Sequence, residues 1–322
     1  MKHEGIDQDF IKQVRQMKRE LRQPYGGWEY VPMGEARSMM VPVTLGCDYN
    51  ACLFCDLNRT PFYEFSIDEI TESIKKLAFI HQYDRRAPKR AVLLQGNPFC
   101  LKPEKLLKLS KILKQEIPTI TEIACFARVQ DVLAKSHDEL ISLRNAGFVS
   151  VTLGIESGSD QVLRLQNKGV TCQEQEAALN LLTEAGIDYD VYLMLGLGGK
   201  EFTEIHAQET ARLINKIHPK MLIIVTTVLF KGAKLRTLLK DKRFVRLSPL
   251  ESMEELLAFL KQLDCECIFN ATHKTNYFSI KGVLPEAKEQ LVSELEGLIA
   301  KEKEVHQAMR EARRWRRFST EK

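Results

Sequence analysis

A chain of 322 residues, 44% of them hydrophobic, is long enough to bury a sizeable core, and that length suits two domains or a single α/β barrel. A net charge of +4 with 28% charged residues is too balanced to imply a nucleic-acid or membrane partner by composition. No run approaches the roughly 18 apolar residues of a membrane span, and the charged N-terminus lacks the apolar stretch of a secretory signal. A cytoplasmic protein is therefore expected, whose eight cysteines point to metal binding or catalysis rather than disulfides.

Residues 1–38 read as an N-terminal extension, a charged helix-like segment followed by the Pro/Gly-bearing loop Gln23–Gly27. From 39 to 230 short apolar runs alternate with amphipathic patterns. Strands are predicted at Met40–Leu45, Ala91–Gln95, Glu122–Phe126, Val149–Ile155, Val191–Leu195 and Met221–Val228. Helices are predicted near 67–80, 103–115, 137–146, 173–185 and 201–217, with Gly147 and Gly186 as C-terminal stops for two of them. This alternation predicts an α/β fold with a parallel sheet, a partial TIM-like (β/α)6 barrel short of eight units, although an open doubly wound sheet gives the same pattern. Residues 231–322 are expected to be helical at 248–263 and 285–311, with an irregular stretch from Cys265 to Gly282, and to cover the substrate and end in a basic tail.

The strongest local signal is Gly46-Cys47-Asp48-Tyr49-Asn50-Ala51-Cys52-Leu53-Phe54-Cys55, directly after the first predicted strand. Loops after the C-termini of parallel strands line the active face. Three thiols on one short loop suit a cubane iron–sulfur cluster with one iron left open. Zinc completed by a distant ligand, or unligated buried thiols, are the alternatives that spacing leaves open.

This segment resembles the radical S-adenosylmethionine superfamily, whose motif is Cys-x3-Cys-x-aromatic-Cys, with Phe54 in the aromatic place. The chain departs from it in placing four residues between Cys47 and Cys52. Leu94-Gln95-Gly96-Asn97-Pro98 stands where the family has a Gly-Gly-Glu-Pro-like turn, here without the acidic residue. Gly154-Ile155-Glu156-Ser157-Gly158 is similar to the Gly-x-Glu-Ser-Gly of the subgroup containing anaerobic coproporphyrinogen oxidase, tRNA methylthiotransferases and the elongator catalytic subunit. Asn167-Lys168 and Leu195-Gly196-Leu197-Gly198-Gly199 follow in that subgroup's order.

The resemblance implies a 4Fe–4S cluster on Cys47, Cys52 and Cys55 and S-adenosylmethionine chelated to its open iron. Phe54, Gly96, Asn97, Glu156, Lys168, Gly196 and Gly198 are then the candidate cofactor-binding residues. Gly96 and Asn97 would receive the methionine amino group, Glu156 the ribose hydroxyls, Lys168 the methionine carboxylate, and the Gly-rich turn the adenine. Bland alternatives are a helix-capping Glu156, a solvated Lys168 and a merely tight turn at 196–199. The implied activity is reductive cleavage of S-adenosylmethionine to a 5′-deoxyadenosyl radical that abstracts hydrogen, with a flavodoxin or ferredoxin as electron donor.

Cys100 and Cys125 follow the second and third predicted strands and are candidates to donate hydrogen or sulfur, or else inert thiols; Cys172 reads as structural, and Cys265-x-Cys267 is too sparse for an auxiliary cluster without partners. His273 and Tyr277, in the polar stretch Asn270–Tyr277, are candidate proton or hydrogen exchangers on a substrate-contacting or surface loop. The tail Arg310–Phe318 interleaves arginines with aromatics, as RNA-binding segments do and as solvated helix ends also do. The leading reading is a radical enzyme acting on a small molecule or cofactor precursor. A tRNA-modifying radical enzyme, a non-catalytic cluster or haem chaperone and a zinc-stabilised protein are the competitors.

Overall fold

The structure is a computed structural model and describes residues 12, 16, 31–56, 60–81 and 87–320. Most of the expected N-terminal extension lies outside the described residues, as do the side chains of the Arg310–Phe318 tail. The chain forms two compact units: the first holds Met1–Asn50, Leu57–Leu153 and Ala177–Tyr189, the second Ala51–Asp56, Gly154–Glu176 and Asp190–Lys322.

In the first unit four parallel strands follow chain order. These are β1 (Met39–Pro42), β4 (Arg90–Leu94), β5 (Glu122–Ala127) and β6 (Phe148–Glu156, in this unit as far as Leu153), with Met39 opposite Ala91, Ala91 opposite Ile123 and Cys125 opposite Val151. Val41, Leu93, Ile123 and Val151 are fully buried, as strands covered on both faces require. The predicted strand 40–45 is divided: after Pro42 the chain turns, and β2 (Thr44–Leu45) pairs antiparallel with β3 (Tyr63–Glu64). Helices α1 (Ile67–His81), α2 (Pro103–Glu116), α3 (Val129–Leu133) and α4 (His137–Asn145) connect these strands. Ser136 caps α4 with a reciprocal Glu139 box, and Gly147, at φ +106°, ends it as expected. At the N-terminal ends of the strands Arg90 binds Glu35 at 2.8 Å and Glu122 at 3.0 Å.

Helix α5 (Asp160–Leu165) lies in the second unit, α6 (Cys172–Glu184) is divided between the two, and β7 (Asp188–Leu195), in the second from Asp190 on, pairs parallel with β8 (Met221–Thr226) across α7 (Gly199–Ile217). Then come α8 (Leu235–Lys240) and α9 (Pro249–Gln262), the latter opened by a Ser248–Glu251 capping box. The expectation of an irregular stretch from Cys265 to Gly282 is corrected here. Cys267–Ala271 is β9, parallel to β8, and Ile280–Leu284 is β10, antiparallel to β9. The stretch hides its strands because each is five residues long and β10 alternates buried ends with exposed Lys281 and Val283. Helix α10 (Lys288–Thr320) closes the chain against α9 and β10.

Candidate functional site

In the first unit the cysteine loop begins at a backbone crossing. Gly96 has φ +69°, and a β-carbon there would overlap the carbonyl oxygen of Gly46. The turn after β4 therefore lies directly on the start of the loop, and only glycine permits it. The Gln95 amide donates to Thr44 O at 3.3 Å, and the Thr44 hydroxyl donates back to Gln95 O. Asn50, at φ +50°, supplies the loop's own left-handed turn, which asparagine tolerates.

Asn97 is 1% exposed, and its Nδ2 donates to Asp48 Oδ1 at 2.6 Å and to Asp131 Oδ2 at 2.7 Å. Asp48 belongs to the cysteine loop, where it also accepts from Cys47 Sγ at 3.8 Å. Arg128 lies 3.6 Å from Asp48 and stacks over the Tyr49 ring at 4.2 Å. Burial raises the Asp131 carboxyl above its usual range, against the opposing pull of its Asn97 hydrogen bond. Lys135 is buried beside it, donates to Phe99 O at 2.6 Å and is pulled below the usual lysine range by burial. The Asn97 Oδ1 atom has no hydrogen-bond partner among the described residues.

Cys100 and Cys125 border this network. Burial, with the Asp48 and Asp131 carboxylates adding to it, pushes the Cys100 thiol up to about 12. The fully buried Cys125 is raised further, again by burial. Both stay protonated at neutral pH, which suits an inert thiol or a hydrogen donor and not a nucleophile.

In the second unit the loop residues Cys52, Leu53 and Cys55 pack on an apolar cluster of Phe54, Val162, Met194, Leu197, Leu235 and Phe244. Backbone hydrogen bonds clamp the loop: Leu53 N donates to Gln166 O at 2.9 Å, and Leu53 O accepts from Leu235 N at 2.7 Å. Asn167 Nδ2 donates to Ala51 O at 3.1 Å.

Glu156 ends β6 in the left-handed region, φ +65°, a conformation that costs an ordinary L-residue roughly 1–2 kcal/mol and that concentrates at functional sites. Its carboxylate meets Lys168 Nζ at 3.2 Å, each side chain only 11% exposed. Lys168 also lies 5.7 Å from the centre of the Phe54 ring. A β-carbon on Gly154 would overlap the Glu156 carboxylate and stand 3.1 Å from Lys168 Nζ, so glycine there makes room for the pair. Glu156 is turned to Lys168, and the Lys168 side chain is largely shielded from solvent.

The Gly-rich turn has a packing role of its own. Gly196 N donates to Glu255 Oε1 at 2.6 Å, and a β-carbon on Gly198 would press on Phe202 and Val162. Glu255, reaching in from α9, is raised by burial despite His206 nearby and its bonds to Thr203 and Gly196.

His273 and Tyr277 lie in the turn between β9 and β10. His273 Nδ1 shares a 2.8 Å hydrogen bond with Thr275, and burial, then Lys274, lowers its pKa. Asn276 ties the turn to β8 by donating to Ile224 O at 2.8 Å. Tyr277 is 49% exposed, on the surface side of this turn. Cys172 begins α6, its amide held by Asp160 at 2.7 Å, while buried Cys265 and Cys267 face each other at 3.7 Å.

None of the eight cysteines is in a disulfide. Among the described residues no group of three or more His, Cys, Asp or Glu side chains stands at metal-ligand spacing. The donor set still fits an iron–sulfur cluster, being three thiols within nine residues of a backbone-clamped loop.

The sequence model of the Radical SAM superfamily matches residues 41–214. The chain belongs to the Radical SAM superfamily. It is accordingly an enzyme that uses a 4Fe–4S cluster and S-adenosylmethionine. Among solved structures, coproporphyrinogen III oxidase (HemN) from Escherichia coli, described as a Radical SAM enzyme, is 19% identical with a TM-score of 0.53, covering 80% of this chain and 56% of its own. The archaeal Methanocaldococcus infernus Elp3, with its N-terminus deleted, is 14% identical with a TM-score of 0.52, covering 81% and 63%. Methylornithine synthase (PylB) is 17% identical with a TM-score of 0.49, covering 80% and 71%. The first two likenesses show the fold, a partial TIM-like barrel, and the chain spans less than two thirds of either protein. No curated protein matches the sequence. No helix among the described residues is long and apolar enough to cross a membrane.

Sequence reasoning missed Asp48, Arg128, Asp131 and Lys135. Asp48 sat in the motif, but nothing local marks it as a partner of Asn97, 49 positions away. Asp131 carried a weak signal as an acid in the first turn of a helix following a strand.

Proposed function

We propose that Cys47, Cys52 and Cys55 hold the 4Fe–4S cluster and that the enzyme abstracts hydrogen from a small-molecule or cofactor-precursor substrate. The observation that carries this reading is the loop itself, whose Phe54 is buried beside a strained Glu156 and its Lys168 partner. When bound, the reduced cluster and S-adenosylmethionine supply an oxidant strong enough to take hydrogen from an unactivated C–H bond.

The chain's own residues bind, orient and shield. Lys168 offers an ammonium to a carboxylate through a charge-assisted contact, and Glu156 offers acceptor oxygens to hydroxyls. Their mutual ion pair keeps both side chains in place. Asn97 presents the unpartnered Oδ1 to a donor such as an ammonium, with Asp48 and Asp131 fixing its amide. That arrangement takes over the part of the acidic residue missing from the Gln95-Gly96-Asn97-Pro98 turn. The buried apolar cluster covers one side of Cys52 and Cys55, which remain partly exposed.

The test uses reduced, reconstituted enzyme and cell extract grown in deuterated medium, separated into small-molecule and RNA fractions. Deuterium entering 5′-deoxyadenosine from the small-molecule fraction is the expected result. Deuterium entering only from the RNA fraction would replace the substrate class, and unlabelled nucleoside from both would refute hydrogen abstraction from either.

A further inference from the structure

The segment that follows β8 is a strongly cationic exposed surface of the second unit. Between Lys231 and Arg246 lie seven lysines and arginines against one acid, Asp241. All seven are exposed. Among the described residues none of them ion-pairs with a carboxylate, and Arg236 makes only a 3.3 Å hydrogen bond to Leu229 O. Arg236 and Lys240, one turn apart on α8, line a surface depression of about 420 Å³ with Thr237. Arg243 N donates to Leu238 O at 2.8 Å, so the chain folds back on the helix and keeps Lys242 and Arg243 close to it.

The opposite face of α8 is placed on the cysteine loop. Leu235 is fully buried, and Leu238 and Leu239 join it in the apolar cluster that also contains Phe54 and receives Cys52, Leu53 and Cys55. Leu235 N donates to Leu53 O, between two of the thiols in sequence. One short helix therefore has its apolar side against the thiol loop and its cationic side in solvent.

We propose that the cationic face of α8 and its flanks, Lys231 to Arg246, is the docking surface for a small acidic one-electron-carrier protein that reduces the cluster. This rests on the assignment of the cluster to the cysteine loop. Unneutralised cations on an exposed face favour an acidic protein by charge complementarity and speed its encounter. The helix that carries them has its leucines in the apolar cluster that receives Cys52 and Cys55, which gives that encounter a purpose that binding elsewhere would not. In the step itself the carrier gives up one electron and the cluster gains one, with no bond made or broken in the chain.

The experiment compares the reconstituted full chain with an Arg236→Glu/Lys240→Glu variant and a Lys242→Glu/Arg243→Glu variant, using an acidic flavodoxin as probe. Binding is read by calorimetry at low and high salt, and cluster reduction by the bleaching of its visible absorbance, driven by reduced flavodoxin or by dithionite. The expected result is wild-type binding that weakens with salt, and each variant binding roughly tenfold or more weakly. Flavodoxin-driven bleaching slows in parallel while dithionite-driven bleaching is unchanged. Equal affinities and rates in wild type and both variants would overturn the proposal. So would a wild-type chain that ignores flavodoxin but shifts polyuridylate through these residues, which would make the surface an RNA contact. If dithionite bleaches a cluster but no S-adenosylmethionine is cleaved, the reading of the function fails while the docking result still stands.

Discussion

Replacing Lys168 with Met keeps the length of the side chain and removes its charge from beside Glu156. At 3.2 Å and an effective dielectric constant of about 20, the pair attracts by roughly 5 kcal/mol. Desolvation of both groups offsets part of that, but when only one partner is deleted the share of the remaining group is not returned. Lys168→Met therefore leaves a carboxylate that is largely shielded from water, on a residue already strained at φ +65°. The expected loss is roughly 2–4 kcal/mol of unfolding free energy, read by urea denaturation of the metal-free chain. Glu156→Gln strands the cation instead and should cost about 1–3 kcal/mol. In the double variant no unpaired charge remains, so its loss should fall short of the summed single losses by about 1–3 kcal/mol. Strict additivity would refute the reasoning, because it would mean the two groups do not sense each other.

Three further outcomes are expected. Gly96→Ala places a β-carbon on the Gly46 carbonyl at φ +69° and should cost roughly 3 kcal/mol or more, seen as a lower Tm and less iron retained; an unchanged Tm would deny the crossing. Asp131 has a folded-state pKa above its unfolded value, so the folded chain holds the extra proton between the two and stability falls as pH rises from about 4. Asp131→Asn should flatten that part of the stability curve, and an unchanged slope would rule the group out as its source. Cys100, held at about 12, is roughly one part in ten thousand thiolate at pH 8, so iodoacetamide should label it far more slowly than an unperturbed thiol, as peptide mass spectrometry would show.

The parts of the site that sequence made legible are those written in consecutive residues. The cysteine loop, the 154–158 segment and Lys168 each announce themselves locally, and the structure seats Phe54, Glu156 and Lys168 together in one unit. Strands and long helices were legible for the same reason, since an apolar run such as Ala91–Leu94 is buried along its whole length. What was not legible depends on pairs distant in sequence. The Asp48–Asn97–Asp131 network joins two loops and helix α3, and the Glu255 bond to Gly196 spans 59 positions. Helix α8 was lost because its six residues are too few for a periodic pattern. Strand β9 was lost because Asn270 is buried there as a polar residue, bonded within its own turn to Thr272.

The most direct measurement is anaerobic reconstitution with iron and sulfide, followed by reduction and quantification of 5′-deoxyadenosine released from S-adenosylmethionine, with Cys52→Ala alongside. About four irons and four sulfides per chain, with nucleoside release abolished in the variant, is the result this account predicts. Zinc in place of iron and sulfide, or nucleoside release indifferent to Cys52, would contradict it.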